Sequence, residues 1–333
     1  MNEERPVQEM MRYIAGKWIS KPLYAAAELG IADLLTEGPL PVVELARRSG
    51  CHAPTLYRVL RALAAVGIFA DHGQGTFAQT ELSSCLRSGA LRAAALSFAS
   101  PWNDRAWTGL LEGVRSGDTP FELACGRSFP DWLEDHPKES ARLQEANAVK
   151  AAATQRALLD VYDFSGLRLF VDVGGGTGVL AAEILCAYPD LHGIVADLPS
   201  ALPAASRTIA GRGLEKRCRV KACDFFAELP AGADLYLLSD ILHDWPEERC
   251  RDILRNCRRA VSGEARLLVV EMVVPPGEGF SPAKLLDLEM FVLNGGRQRS
   301  VSELEALLTE AGFALKRVLP AAGGLSVLEA LPA

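Results

Sequence analysis

The stretch Leu169-Phe-Val-Asp172-Val173-Gly174-Gly175-Gly176-Thr177-Gly178, followed by Val179–Tyr188 (VLAAEILCAY), decides the fold of this chain. A short apolar run bounded by glycines predicts a buried strand, and the apolar residues after it recur at helical spacing. A glycine turn between strand and helix lets the backbone approach a ligand closely, and the helix N-terminus favours an anionic group. The spacing Gly-x-Gly-x-Gly is not the dinucleotide Gly-x-Gly-x-x-Gly. No Lys-Ser/Thr follows, so it is not a Walker loop either. By itself the loop names no ligand.

Downstream the same texture repeats. Gly193–Ala196, Arg219–Ala222, Leu235–Leu238 and Arg266–Val270 read as strands, and Ser200–Ala210, Glu247–Ala260 and Ser302–Gly312 as helices. Such alternation predicts an α/β, Rossmann-like parallel sheet with helices on both faces. Two last runs, Ala314–Leu319 and Leu325–Ala330, lie close together across Gly323-Gly324 and suit an antiparallel hairpin at the sheet edge. Ligands bind such sheets at the carboxyl ends of the strands. Asp197 closes the second strand, where a carboxylate can accept ribose hydroxyls. Asp224 closes the third, where an acid can accept from an adenine amino group while Phe225 or Phe226 packs on the ring. Each aspartate alone serves equally well as a helix cap. With the loop, they favour an adenosine ligand. The fourth strand runs into Leu238-Ser239-Asp240-Ile241-Leu242-His243-Asp244-Trp245-Pro246, which puts His243 on the same rim, a position that suits a general base.

Upstream, the chain reads as helices. Leu23–Leu35, Val42–Ser49 and Ala53–Val66 are followed by a hairpin around Gly73–Gly75, a winged-helix pattern. That pattern raises the rival of a DNA-binding regulator. Between Thr36 and Ser88, however, five arginines face four acids, a charge of +1, and the whole chain of 333 residues carries −7. Binding a phosphate backbone needs a basic footprint, so a winged helix used for packing or dimerisation is the better reading. The N-terminus lacks a signal-peptide pattern and no apolar run reaches the ~18 residues of a membrane span. The eight cysteines form no Cys-x-x-Cys pair or zinc spacing. They read as buried small hydrophobes in a reduced, cytoplasmic protein. The expected organisation is a winged-helix-like segment over 1–90, helical connectors over 91–162 and the α/β domain over 163–333.

Taken together, the winged-helix start, Asp-Val-Gly-Gly-Gly-Thr-Gly, Cys223-Asp224-Phe225-Phe226 and Leu242-His243-Asp244-Trp245 make nearly the whole chain resemble one family. It is the caffeic-acid/flavonoid/acetylserotonin-type class of S-adenosylmethionine (SAM)-dependent O-methyltransferases, with its bacterial natural-product branch. The resemblance implies an intertwined homodimer through the N-terminal domain and transfer of a methyl group to a hydroxyl of a small aromatic substrate. S-adenosylhomocysteine would be the product, and no metal, nucleic acid or membrane is needed. By the same resemblance, Asp172, Gly174, Gly176, Asp197, Leu198, Asp224, Phe225 and Ser239 hold the cofactor. His243 is the base and Glu271 the carboxylate that flanks it. Phe98, Asn103, Phe129, Asn147, Met290 and Asn294 fall where relatives contact the acceptor, Asn147 and Asn294 as buried amides in need of partners. The family's second flanking glutamate is replaced by Gln298, a neutral amide that cannot stabilise an imidazolium by charge. The same fold also leaves open an N-methyltransferase, a SAM-binding relative that transfers no methyl, or a catalytically silent SAM binder.

Overall fold

The computed structural model describes residues 4–88 and 91–333, less the side chains of 4, 5, 148–150, 152 and 153. The boundary expected at residue 90 lies outside them. The chain divides into two compact units, residues 1–105 with 130–149 and residues 106–129 with 150–333. No helix of the described residues is long and apolar enough to cross a membrane.

In the first unit, helices Val42–Ser49 and Ala53–Ala65 pack with a small antiparallel sheet. Its strands are β1 (Leu40–Pro41), β2 (Phe69–Asp71) and β3 (Thr76–Gln79), in the order β1-β3-β2. Leu45, Leu56, Leu60, Leu63, Phe69 and Phe77 are buried together between helices and wing. Each contributes roughly 2 kcal/mol of apolar burial. The helix expected over Leu23–Leu35 is corrected: a helix runs Lys17–Glu28, and a separate turn covers Ile31–Leu34. Gly30 between them adopts φ 64°, the left-handed conformation that ends helices. Helix Glu4–Ile14 leaves Val7, Met10, Met11 and Ile14 exposed, an i, i+3, i+4, i+7 stripe on one face.

The second unit is built on β4 (Leu169–Val173), β5 (His192–Asp197), β6 (Cys218–Ala222), β7 (Leu235–Ser239), β8 (Arg266–Met272), β9 (Phe313–Pro320) and β10 (Leu325–Pro332). The order is β6-β5-β4-β7-β8-β10-β9. The first five run parallel, and β10 and β9 complete the antiparallel edge hairpin expected from the sequence. Alternate residues face opposite layers: Val171, Tyr236, Leu238, Leu267 and Val269 enter one core, and Phe170, Leu237, Leu268 and Val195 the other. Helix Glu247–Ala260 has the expected bounds. The structure adds helix Pro282–Asn294, which the strand–helix pattern does not predict. Ser281 caps it by accepting from Ala283 N–H at 3.2 Å, with proline at its first position. The uniform reading of the cysteines is also corrected: Cys218, Cys223, Cys250 and Cys257 are buried, but Cys85 and Cys186 are exposed.

Candidate active site

Sequence order and strand order part company between β4 and β7, and the five parallel strands all end on one rim. β4 delivers the glycine loop, in which Gly174, Gly176 and Gly178 have φ of 68°, 55° and 72°. The loop is fixed from below and from the side. A Cβ on Gly175 would lie 2.6 Å from Asp172 Oδ2, so the Asp172 carboxyl is packed directly under the loop. It is 1% exposed and Oδ2 has no hydrogen-bond partner. Burial, and secondarily the nearby charge of Asp197, push it up to about 7. From β5, Asp197 Oδ2 accepts from Gly176 N–H (2.7 Å) and Oδ1 from Leu198 N–H (2.6 Å). Beyond β6, Asp224 is exposed and accepts from Phe226 N–H at 2.9 Å. Phe225 and Phe226 stack edge-to-face 4.8 Å apart, Trp245 packs on both, and Arg249 lies 3.5 Å above the Phe226 ring. Ser239, half-buried, ends β7.

His243 sits in a single 3-10 turn, Leu242–Asp244, just past β7, with its side chain 7% exposed. Glu271, buried in β8, reaches under that turn. Its Oε1 accepts from Leu242 N–H (2.9 Å) and His243 N–H (3.3 Å), and its Oε2 lies 2.8 Å from His243 Nδ1. A carboxylate only accepts, so Nδ1 carries the hydrogen and Nε2 keeps its lone pair. The turn is held on its other side by residues 296–299. A Cβ on Gly296 would lie 2.1 Å from the His243 carbonyl oxygen, so only glycine permits this approach. Arg297 N–H donates to that carbonyl at 2.9 Å. Buried Arg299 donates from Nη1 to Leu242 O (2.9 Å) and from Nη2 to Trp245 O (3.1 Å). Gln298 N–H donates to Asp287 Oδ1 at 2.8 Å, while its side chain, 3% exposed, has neither amide atom hydrogen-bonded.

Two carboxylates without an expected role also meet the ring. Asp240 Oδ1 lies 3.6 Å from His243 Nδ1, and Asp244 Oδ1 lies 3.6 Å from Nε2. Asn294 Nδ2 donates to the same Asp244 oxygen at 3.2 Å. The donor atoms of Asp240, His243 and Glu271 lie within 4.8 Å of one another, a spacing that could hold a cation. The Glu271 oxygens, however, are already taken by three N–H groups, which explains the cluster without an ion. Sequence reasoning missed Asp240, Asp244, Asp287 and Arg299. The signal for Asp244 stands in the Leu-His-Asp-Trp run, but the Arg299 clamp is purely tertiary.

Of the residues expected at the acceptor, Phe129, Met290 and Asn294 belong to the second unit and Phe98, Asn103 and Asn147 to the first. Phe129 is buried edge-to-face on Phe121, Met290 is buried, and Asn294 is half-buried with Oδ1 lacking a hydrogen-bond partner. Asn103 is buried and Phe98 exposed. The expectation of a buried amide at Asn147 is corrected, because that residue is exposed on helix Pro137–Val161.

The rim fits an adenosine-type cofactor with a cationic end: a left-handed glycine cradle, carboxylates on two neighbouring strands and an orphaned buried oxygen beneath. Comparison with known proteins agrees. Residues 107–314 match the O-methyltransferase domain, and residues 11–89 the O-methyltransferase dimerisation domain. A phenazine O-methyltransferase of Lysobacter antibioticus is 42% identical, covering 97% of this chain and 95% of that one. A phenazine-1-carboxylate N-methyltransferase of Pseudomonas aeruginosa is 32% identical over 94% and 93%. A neocarzinostatin-biosynthesis O-methyltransferase, solved with SAM and 2-hydroxy-5-methyl naphthoic acid, superposes with a TM-score of 0.79. It is 33% identical and covers 94% of this chain and 96% of that one. By the length and specificity of these matches, the chain belongs to the SAM-dependent O-methyltransferases that join this domain to an N-terminal dimerisation domain.

Proposed function

We propose that the chain methylates a phenolic hydroxyl of a small aromatic natural product, with His243 as general base. The observation that carries this reading is the Nδ1–Glu271 contact of 2.8 Å, with the other Glu271 oxygen anchored to the backbone of the same turn. It fixes the tautomer, directs the Nε2 lone pair away from Glu271 and stabilises the imidazolium once a proton arrives. SAM supplies an already activated methyl on a sulfonium, so the protein's tasks are alignment and deprotonation. A phenol of pKa ~10 is ionised to roughly one part in a thousand at neutral pH. Taking its proton is therefore worth up to about 4 kcal/mol, within the reach of one base.

The cofactor would be held by Gly174 and Gly176 over Asp172, by Asp197 with Leu198, by Asp224 with Phe225, and by Ser239. Glu271 orients the base, and Gln298 stands at the position of the family's second carboxylate. Phe129, Met290 and Asn294 are assigned to the acceptor, and Phe98, Asn103 and Asn147 to it by resemblance alone. Residues 1–90 would dimerise, supported by the exposed stripe Val7-Met10-Met11-Ile14. Residues 91–162 would connect to the catalytic domain over 163–333. The enzyme would work in the cytoplasm without a metal, nucleic acid or membrane.

The test is a mass-spectrometric screen with SAM and a panel of phenolic polyketides, benzoates and phenazines, on wild type and His243→Ala. Methyl ether and S-adenosylhomocysteine in equal amounts, with a rate lost in the variant, are expected. Product methylated on nitrogen would shift the reaction to the N-methyl branch. Phenol methylation by His243→Ala at the wild-type rate would remove the base.

A further inference from the structure

Asp240 has a backbone that its side chain alone does not explain. Among the described residues only two non-glycines have a left-handed φ, Gln74 at 52° in the turn between β2 and β3, and Asp240 at 54°. Asp240 N–H still donates to Val270 O at 3.0 Å, so the residue continues the β7–β8 ladder and turns only after it. Glycine would adopt this turn most easily. The chain instead places an acid there, with a carboxylate oxygen 3.6 Å from His243 Nδ1 and the side chain four-fifths buried. Nδ1 lies 2.8 Å from Glu271 Oε2, which takes its single hydrogen, so Asp240 acts on the ring through its charge.

We propose that Asp240 is a positioning residue for His243, a second carboxylate on the Nδ1 side that stabilises the imidazolium formed when Nε2 takes the acceptor proton. This rests on His243 being the base. In that step the acceptor O–H bond breaks, its electron pair stays on oxygen, and the proton ends on Nε2. The ring then gains a positive charge beside Glu271 and Asp240. Charged groups facing the ring include Asp240 from the end of β7, Asp244 at Nε2 from its own turn, and Glu271 from β8. Behind the turn stands Arg299, engaged with the carbonyls of Leu242 and Trp245. Gln298 adds no charge. At this distance and burial, an anion shifts a neighbouring imidazole by a pH unit or more.

The experiment is NMR titration of the full chain carrying carbon-13-labelled histidine, with His243 assigned among the five histidines by His243→Gln. Asp240→Asn keeps a residue type at ease with a left-handed φ, and Asp240→Gly relieves the turn altogether. In both, the His243 midpoint is expected to fall by about one pH unit, because the protonated ring loses a stabilising anion. SAM binding by calorimetry checks that each variant is folded. A midpoint moved by less than about 0.2 units in both variants overturns the proposal. If that occurs while His243→Gln is inactive, the base stands and Asp240 alone falls. If His243→Gln still methylates phenols, the base and Asp240's role fall together.

Discussion

At the ends of β4 and β6 carboxylates stand open, whereas the turn that carries His243 is tied down by Glu271 and Arg299, with the Gln298 amide and Asn294 Oδ1 beside it left unbonded. Asp224 is exposed and Asp172 Oδ2 lacks a partner. Around His243, Glu271 serves three N–H groups and Arg299 two carbonyls. Under the proposed function the difference follows from two tasks. A cofactor that arrives and leaves each turnover must find hydrogen-bonding capacity unspent. A base must keep one lone pair aimed to within tenths of an ångström, which requires the turn that carries it to be held rigidly.

The sharpest way to break the committed half is Glu271→Ala, which strands three buried donors. Methylation is expected to fall about 100-fold or more, with a stability loss of about 3 kcal/mol, read by kcat and by urea unfolding. Glu271→Gln should recover part of the stability, since its amide oxygen still accepts, but not the rate. On the open half, the largest effect is a pH dependence. Unfolded, Asp172 titrates near 3.8, and folded near 7. Below about pH 3 both states are protonated and nothing is lost. As pH rises toward 7 the unfolded chain gives up its proton first, so this group lowers stability by on the order of 4 kcal/mol, a change that levels off above about pH 8. Asp172→Asn should flatten that part of the profile in urea midpoints taken between pH 4 and 8 without SAM.

Asp197→Ala is expected to weaken SAM binding about tenfold to a hundredfold by calorimetry, with kcat at saturating SAM much less affected. Loss of catalysis without loss of affinity would transfer Asp197 to the other half of the comparison. The smallest effect belongs to Gln298. Replacing its unbonded amide by methionine should raise stability by about 1 kcal/mol and, if the amide serves the acceptor, raise the acceptor KM severalfold. An unchanged KM would leave the amide without a substrate role.

The open half was also the legible one. Its loop and aspartates stand at strand ends that short apolar runs mark out, and the strands fall within a residue or two of their expected bounds. The committed half draws on residues 240–244, 271 and 294–299, and only folding makes them neighbours. The pairing of His243 with Glu271 was readable through a motif and a strand end. Asp240 was not, because a left-handed φ at a non-glycine leaves no mark in composition. Helix Pro282–Asn294 was missed although Ser281-Pro282 is an N-terminal signal, since the residues before it read as loop. The break at Gly30 was hidden by apolar residues that keep helical spacing across it.

If SAM binds over the glycine loop, the buried Asp172 carboxyl would couple cofactor loading to solvent protons. SAM brings positive charge, and next to the loop that charge would favour the ionised form, so each binding event near neutral pH should release part of a proton. The heat of binding would then vary with the ionisation enthalpy of the buffer, and affinity would climb with pH until Asp172 is fully ionised. An alkaline shift would then load the enzyme more fully.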